Sequence, residues 1–341
     1  SQTLVTDGID EVLFNPLNET GLENLLIDKV DLHTLESKGL EVAVDFGSAH
    51  VKVDALHIDS AGHITLDAEG ASTGTHLNTS LKDLQKLGVD SVSVAGGVNA
   101  IGLDLGSVDG FQIQTNGTLS ALPTFDAGLE VTLNVDNATD LSFVEAHAAE
   151  FASHNIDQIR LDLAGDGKLD DVLGTGSLSD NFSALETELA AIRHPGSNAP
   201  GLDTLVSIDQ SQAQELLKDT HHLSFAIDDH VMLDASAGAH STHLSTSLKD
   251  LQKLGVDSVS VAAGTTGINV DLGEHIGVNG FTVNGSVLFG DSNADGVLSA
   301  AEDNALHVTL NAESSDLAGL AGVSQTLVTD GIDEVLFNPL N

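Results

Sequence analysis

The sequence contains no cysteine, tryptophan or tyrosine, and only one methionine and five prolines among its 341 residues. Without cysteine there is no disulfide framework and no thiolate metal site. Without tryptophan and tyrosine, the side chains that dominate binding hot spots are missing, and phenylalanine lacks their polar handle. Cations are scarce as well: 11 Lys and Arg stand against 52 Asp and Glu, a formal net charge of −41. So few cations cannot form a phosphate-binding surface, which excludes nucleic acid and an anionic membrane surface as partners. No apolar run approaches the about 20 residues of a membrane span, so no membrane insertion is expected. Ser1 is followed by neither a basic nor an apolar leader region, so no signal peptide is expected in this segment. What is present is 41% hydrophobic and 18% charged, too apolar for simple disorder, so much of the chain should fold.

Repeats organise it. Residues 1–18 read SQTLVTDGIDEVLFNPLN, and residues 324–341 repeat them letter for letter. Either the protein repeats with a period of 323 residues or the duplication was introduced artificially; a boundary inside what reads as an element favours the first. A second repeat is nested inside. HLNTSLKDLQKLGVDSVSVA at 76–95 returns as HLSTSLKDLQKLGVDSVSVA at 243–262, changed only at Asn78 and Ser245. IGLDLGSVDGF (101–111) parallels INVDLGEHIGVNGF (268–281), and LEVTLN (129–134) parallels LHVTLN (306–311), with the offset growing from 167 to 177 residues. The expected organisation is a first half-repeat over 1–154, a homologous second half-repeat over 155–323, and the start of a further copy at 324–341.

A shorter motif recurs through both halves: a helix-like segment, Gly or Asn, an apolar residue, often Asp, then alternating Val, Ile and Leu. It appears as DGIDEVLF (7–14), KGLEVAVDF (38–46), LGVDSVSV (87–94 and 254–261), HNIDQIRLDL (154–163), PGLDTLVSI (200–208) and DGIDEVLF (330–337). Leucines of LKDLQKL recur at helical spacing, Gly88 and Gly255 supply left-handed C-terminal caps, and VDSVSV alternates as a strand does. Ser80 with Asp83 and Ser247 with Asp250 read as capping boxes with Asp in place of Glu; Ser142 with Glu145 and Ser183 with Glu186 fit the standard form. The stretches at 50–70 and 281–290 read as hairpins. The expected fold class is therefore α+β: a strand-rich, solenoid-like tandem-repeat array of helix–Gly–strand units with β-hairpins. Two compact domains with a linker are the alternative.

The sharpest chemical signal is DSNADGVLSAAE at 291–302. Asp291, Asn293 and Asp295 occupy positions 1, 3 and 5 of an EF-hand loop, and Gly296 is the turn at position 6. Val297 supplies a backbone carbonyl, Ser299 is position 9 and Glu302 the bidentate position 12. Ca2+ takes six to eight oxygens, and this spacing wraps them around one point. The preceding GFTVNGSVLFG reads as strand rather than as an entering helix, which suits a structural clamp better than a sensor. The loop falls where the second half carries extra residues: Phe111 to Val131 spans 20 positions, Phe281 to Val308 spans 27. A weaker candidate is LDLAGDGKLDDVLG (161–174), where Asp162, Asp166 and Asp170 match loop positions 1, 5 and 9 but Ala164 and Leu173 stand at positions 3 and 12.

The 15 histidines form no HExxH or comparable ligand motif and read as surface or half-buried residues of strands. No G-x-S-x-G, P-loop or dinucleotide fingerprint is present, and the sequence argues against an enzyme.

The helix–Gly–apolar–Asp–strand motif, the acidic cysteine-free composition, the loop at 291–302 and the tandem period together resemble giant calcium-binding repeat proteins of bacterial surfaces. These are the type I-secreted adhesin and biofilm-matrix class, with S-layer-like proteins similar in composition. The resemblance implies Ca2+ as the bound ion, a secreted or cell-surface location, and self-association of neighbouring repeats and chains as the principal partnership. It implies a calcium-stabilised filament, stalk or surface layer. An adhesin module that recognises a glycan or surface is the alternative, and a secreted glycan-degrading module comes third.

Overall fold

The computed structural model describes residues 11–16, 18–27, 29–47, 49–68, 74–164, 168–174, 177–196, 199–219, 223–226, 228–235, 243–262, 264–273, 287–290 and 306–338. Its contacts divide the chain into two units. The first is Ser1–Val135, Thr139–Ile159 and Ala191–Asp203; the second is Asp136–Ala138, Arg160–Ala190 and Thr204–Asn341.

The first unit opens with strand β1 (Glu11–Phe14), helices α1 (Glu19–Ile27) and α2 (Lys29–Glu36), and strands β2 (Glu41–Asp45) and β3 (His50–Lys52). Next come β4 (Leu56–Ile58), β5 (Ile64–Ala68), β6 (Thr75–Leu77), helix α3 (Leu81–Lys86), β7 (Val89–Val94), β8 (Ala100–Asp104), β9 (Thr124–Phe125) and β10 (Glu130–Val135). Helix α4 (Ala138–Ser153) leads to β11 (Gln158–Asp162). Within the unit, β1 pairs parallel with β2, β8 pairs parallel with both β6 and β10, and β7 pairs parallel with β5 and β9. Apolar residues alternate inward: Val131, Leu133 and Val135 of β10 are wholly buried, as are Leu141, Val144 and Phe151 of α4.

The second unit continues through helices α5 (Lys168–Leu173) and α6 (Leu178–Arg193), β12 (Asp203–Asp209), α7 (Gln210–Lys218) and β13 (His230–Asp234). It is completed by α8 (Leu248–Leu254), β14 (Ser258–Ser260), β15 (Gly267–Asp271), β16 (Leu288–Phe289), β17 (His307–Glu313), α9 (Leu317–Thr329) and β18 (Glu334–Asn338). Strands β12, β13, β14 and β16 are parallel neighbours in that order, and β17 lies between β15 and β18, again parallel.

The α+β, strand-rich, solenoid-like array expected from the sequence is not what forms. The fold is mixed α/β: several sheets are parallel, one of them has eight strands, and helix is as well represented as strand among the described residues. The repeated motif itself supplies the reason. It sets a helix between consecutive strands, and a helical crossover delivers the next strand parallel to the one before. Antiparallel pairing among the named strands is confined to β2 with β3 and β4 with β5, where turns are short. The hairpin read at 281–290 lies mostly outside the described residues.

Local signals of the motif are used as read. Ser80 and Ser247 are the N-caps of α3 and α8; each accepts from the backbone N–H three residues on, at 3.2 Å, and donates to that aspartate's Oδ2. Gly255 closes α8 at φ +80°, and at the same point of its own unit Asn155 takes φ +61° and ties its Nδ2 to the Phe125 carbonyl. Ser142 and Ser183 are not caps. Helix α4 already begins at Ala138, and α6 begins at Leu178, where Ser177 Oγ accepts from Asp180 N. In α6 an earlier serine, Ser177, took the N-terminus.

Candidate functional site

The six calcium ligands read from sequence, Asp291, Asn293, Asp295, Val297, Ser299 and Glu302, lie outside the described residues, as does Asp166 of the weaker set. Asp162 ends β11 with its Oδ1 accepting from Ala164 N at 3.1 Å, and Asp170 stands in the first turn of α5. Among the described residues, no group of three or more His, Asp or Glu side chains converges in a way that could hold a metal ion.

The aspartate of the repeated motif has a clear task. Asp157 Oδ2 accepts from Val131 N at 2.9 Å while the Asp157 N–H donates to the Val131 carbonyl at 3.0 Å. Asp257 treats Val231 in the same way, at 2.9 and 2.8 Å, and Asp333 treats Val308 at 2.8 and 3.0 Å. Asp90 Oδ2 likewise accepts from Ile64 N at 2.7 Å. Each carboxylate thus caps an amide in the first two residues of the strand it pairs with, where a buried N–H would otherwise lack an acceptor. Burial raises the carboxyls of Asp157 and Asp257 above the ordinary value, and the hydrogen bond from the valine amide only partly opposes it. The sequence showed the recurrence of these aspartates but not their partners, which stand 25 or 26 residues upstream.

A second constellation occurs twice. In the first unit, Asp104 Oδ1 accepts from Asn134 Nδ2 at 3.2 Å and lies 3.2 Å from His76 Nε2. In the second unit, Asp271 Oδ1 accepts from Asn311 Nδ2 at 3.0 Å and lies 3.2 Å from His243 Nε2. Both sets follow the nested repeat and lie on adjacent parallel segments. Leu105 and Leu272 then donate to the Asn134 and Asn311 carbonyls and accept from Lys82 N and Lys249 N. A cleft of about 460 Å3 opens beside the second set, with Asp250, Asp271, Glu313 and Asp316 in its wall. Such a wall attracts cations, but its carboxylates are engaged in capping: Asp316 Oδ2 accepts from Glu313 N, and Asp250 Oδ2 from Ser247 Oγ.

A second recess, of about 350 Å3, in the first unit is walled by His147, Glu150 and His194. His147 Nδ1 lies 3.3 Å from Glu150 Oε1, and Glu150 Oε2 accepts from Leu119 N at 2.6 Å. The ring of His147 packs at a tilt against Phe143, with centroids 4.7 Å apart. His57 lies 3.8 Å from Asp67 and His307 3.6 Å from Asp333, with both imidazoles more than half exposed. Among the described residues no helix is long and apolar enough to cross a membrane. No protein-family model, curated protein or solved structure matches the chain.

Proposed function

We propose that the chain is a segment of an extracellular structural repeat protein that builds a calcium-stabilised filament, stalk or surface layer. The observation that carries this reading is the recurrence of one segment at two sites with one local structure. EVLF is a strand at 11–14 and again at 334–337, with the same residues turned in and out. The paired His–Asp–Asn sets and the twice-used Ser–Asp caps extend that regularity to the nested repeat. The recurring aspartates are strand caps, whereas the acids of the loop at 291–302 carry the spacing of an ion site.

Calcium is assigned to Asp291, Asn293, Asp295, Val297, Ser299 and Glu302. An extracellular module of this kind binds with a dissociation constant of roughly 10⁻⁴ to 10⁻³ M. At 100-fold excess over that constant, binding stabilises the fold by about 2.7 kcal/mol. Calorimetric titration with Ca2+ after chelator treatment tests it, with Glu302→Gln alongside. The expected result is one site per chain, weakened at least tenfold by the substitution (about 1.4 kcal/mol). Absent binding heat and an unchanged melting curve would reduce the loop to an acidic turn.

A further inference from the structure

The two copies of the end segment pair on different neighbours. As β1, the strand pairs with β2, Val12 opposite Val42 and Phe14 opposite Val44. As β18, it pairs with β17, Val335 opposite Leu310 and Phe337 opposite Ala312. Among the described residues each copy is the outermost strand of its sheet, β1-β2-β3 in one and β15-β17-β18 in the other. Each also exposes a large apolar side chain, Leu13 at 40% and Leu336 at 53%.

Superimposing the sequences joins the two registers into one. Leu310, Val335 or Val12, and Val42 would form one row across three parallel strands; Ala312, Phe337 or Phe14, and Val44 would form the next. Leu310, Ala312, Val42 and Val44 are all buried, while the shared strand's Val and Phe are half-covered in both copies. The two neighbours belong on opposite edges. Crossovers between parallel strands are right-handed, so with one face inward the strand before and the strand after lie on opposite sides. The clamps agree: Asp333, before the strand, reaches Val308 at the start of β17, whereas Asn15, after it, donates to Asp45 at the end of β2, 2.9 Å away.

We infer that the partner of each open edge is a second copy of this chain, with the DGIDEVLFN segment serving as a single strand shared between successive copies. The sheet then runs β15, β17, shared strand, β2, β3 without interruption. Edge strands otherwise present unpaired N–H and C=O groups that invite wrong partners; a shared strand satisfies both sides with one segment. This rests on the tandem part of the functional reading and not on calcium.

The test is a two-copy chain, residues 1–323 followed by residues 1–341, compared with the single chain by amide hydrogen exchange in chelator. In the single chain, peptides covering 11–27 and 317–338 report edge strands. In the two-copy chain the same peptides come equally from an end and from the junction. Their isotope envelopes should split into two equal populations, the junction population exchanging at least tenfold more slowly. A single population at the rate of the single chain overturns the inference. Because the measurement is made in chelator, failure of the calcium titration would leave this outcome untouched.

Discussion

Replacing Asp257 separates two effects that its carboxylate combines. Its Oδ2 accepts the Val231 amide at 2.9 Å, and Val231 is wholly buried. Asp257→Ala leaves that N–H without an acceptor and out of reach of water, at a cost of about 1–3 kcal/mol. Asp257→Asn keeps an oxygen at the same place and removes a charge that burial disfavours, so its effect at neutral pH should stay within about 1 kcal/mol of zero. The pH dependence gives a sharper criterion. Burial raises the Asp257 carboxyl above the ordinary 3.8, so the folded chain binds this proton more tightly than the unfolded chain does. The stabilisation from that proton is complete below the ordinary value and is lost as pH rises through the raised one. Asn has no such proton to lose. Between about pH 3 and pH 6, therefore, the stability difference should move steadily in favour of Asp257→Asn. Urea unfolding midpoints across that range, with exchange of the Val231 amide as the local probe, provide the assay. If Asn destabilises as much as Ala at neutral pH, or if the wild-type–Asn difference does not change with pH, the strand-cap argument is refuted.

Gly255→Ala should destabilise by about 1–2 kcal/mol, since φ is +80° and the new Cβ would lie 3.1 Å from the Phe225 carbonyl; thermal melting measures it. Asn155→Gly should come out near neutral in the same measurement, because it relieves the left-handed backbone at φ +61° while losing the bond to Phe125. Burial holds His154 below the ordinary imidazole value of 6.5, so its contribution to stability is present above that value and is lost as pH falls through the lowered one. Urea midpoints should therefore drop on acidification below about pH 6.5, and His154→Asn should flatten the drop; an equal slope in both chains would remove His154 as its cause.

The legible part of the fold was local. SLKDLQKLGV spells cap, helix, left-handed turn and strand in neighbouring residues, and both copies form α3 and α8 as read. Ser142 and Ser183 show the limit: the same capping letters sit inside α4 and α6, because a cap depends on where the helix begins and not on the pair alone. The identical stretches VDSVSV at 89–94 and 256–261 show another. The first is a strand of six residues between β5 and β9, and the second, between β13 and β16, is a strand of three. Strand length was set by neighbours, which the segment itself does not encode.

The candidate site divides in the same manner. The ion-loop pattern at 291–302 is a local spacing and is complete in the sequence. The strand caps and the His–Asp–Asn sets are not, since each joins residues about 25 to 60 positions apart, as Asn134 with Asp104 and His76. The sequence by itself determined the charge, the repeats, the helix–Gly–strand unit and the spacing of the acids at 291–302, because all of these follow from composition and short-range geometry. Only the tertiary structure decided that the strands run parallel, that Asp157, Asp257 and Asp333 cap the strands next to them, and that one end segment has two different neighbours. Those outcomes depend on which strands the crossovers bring side by side.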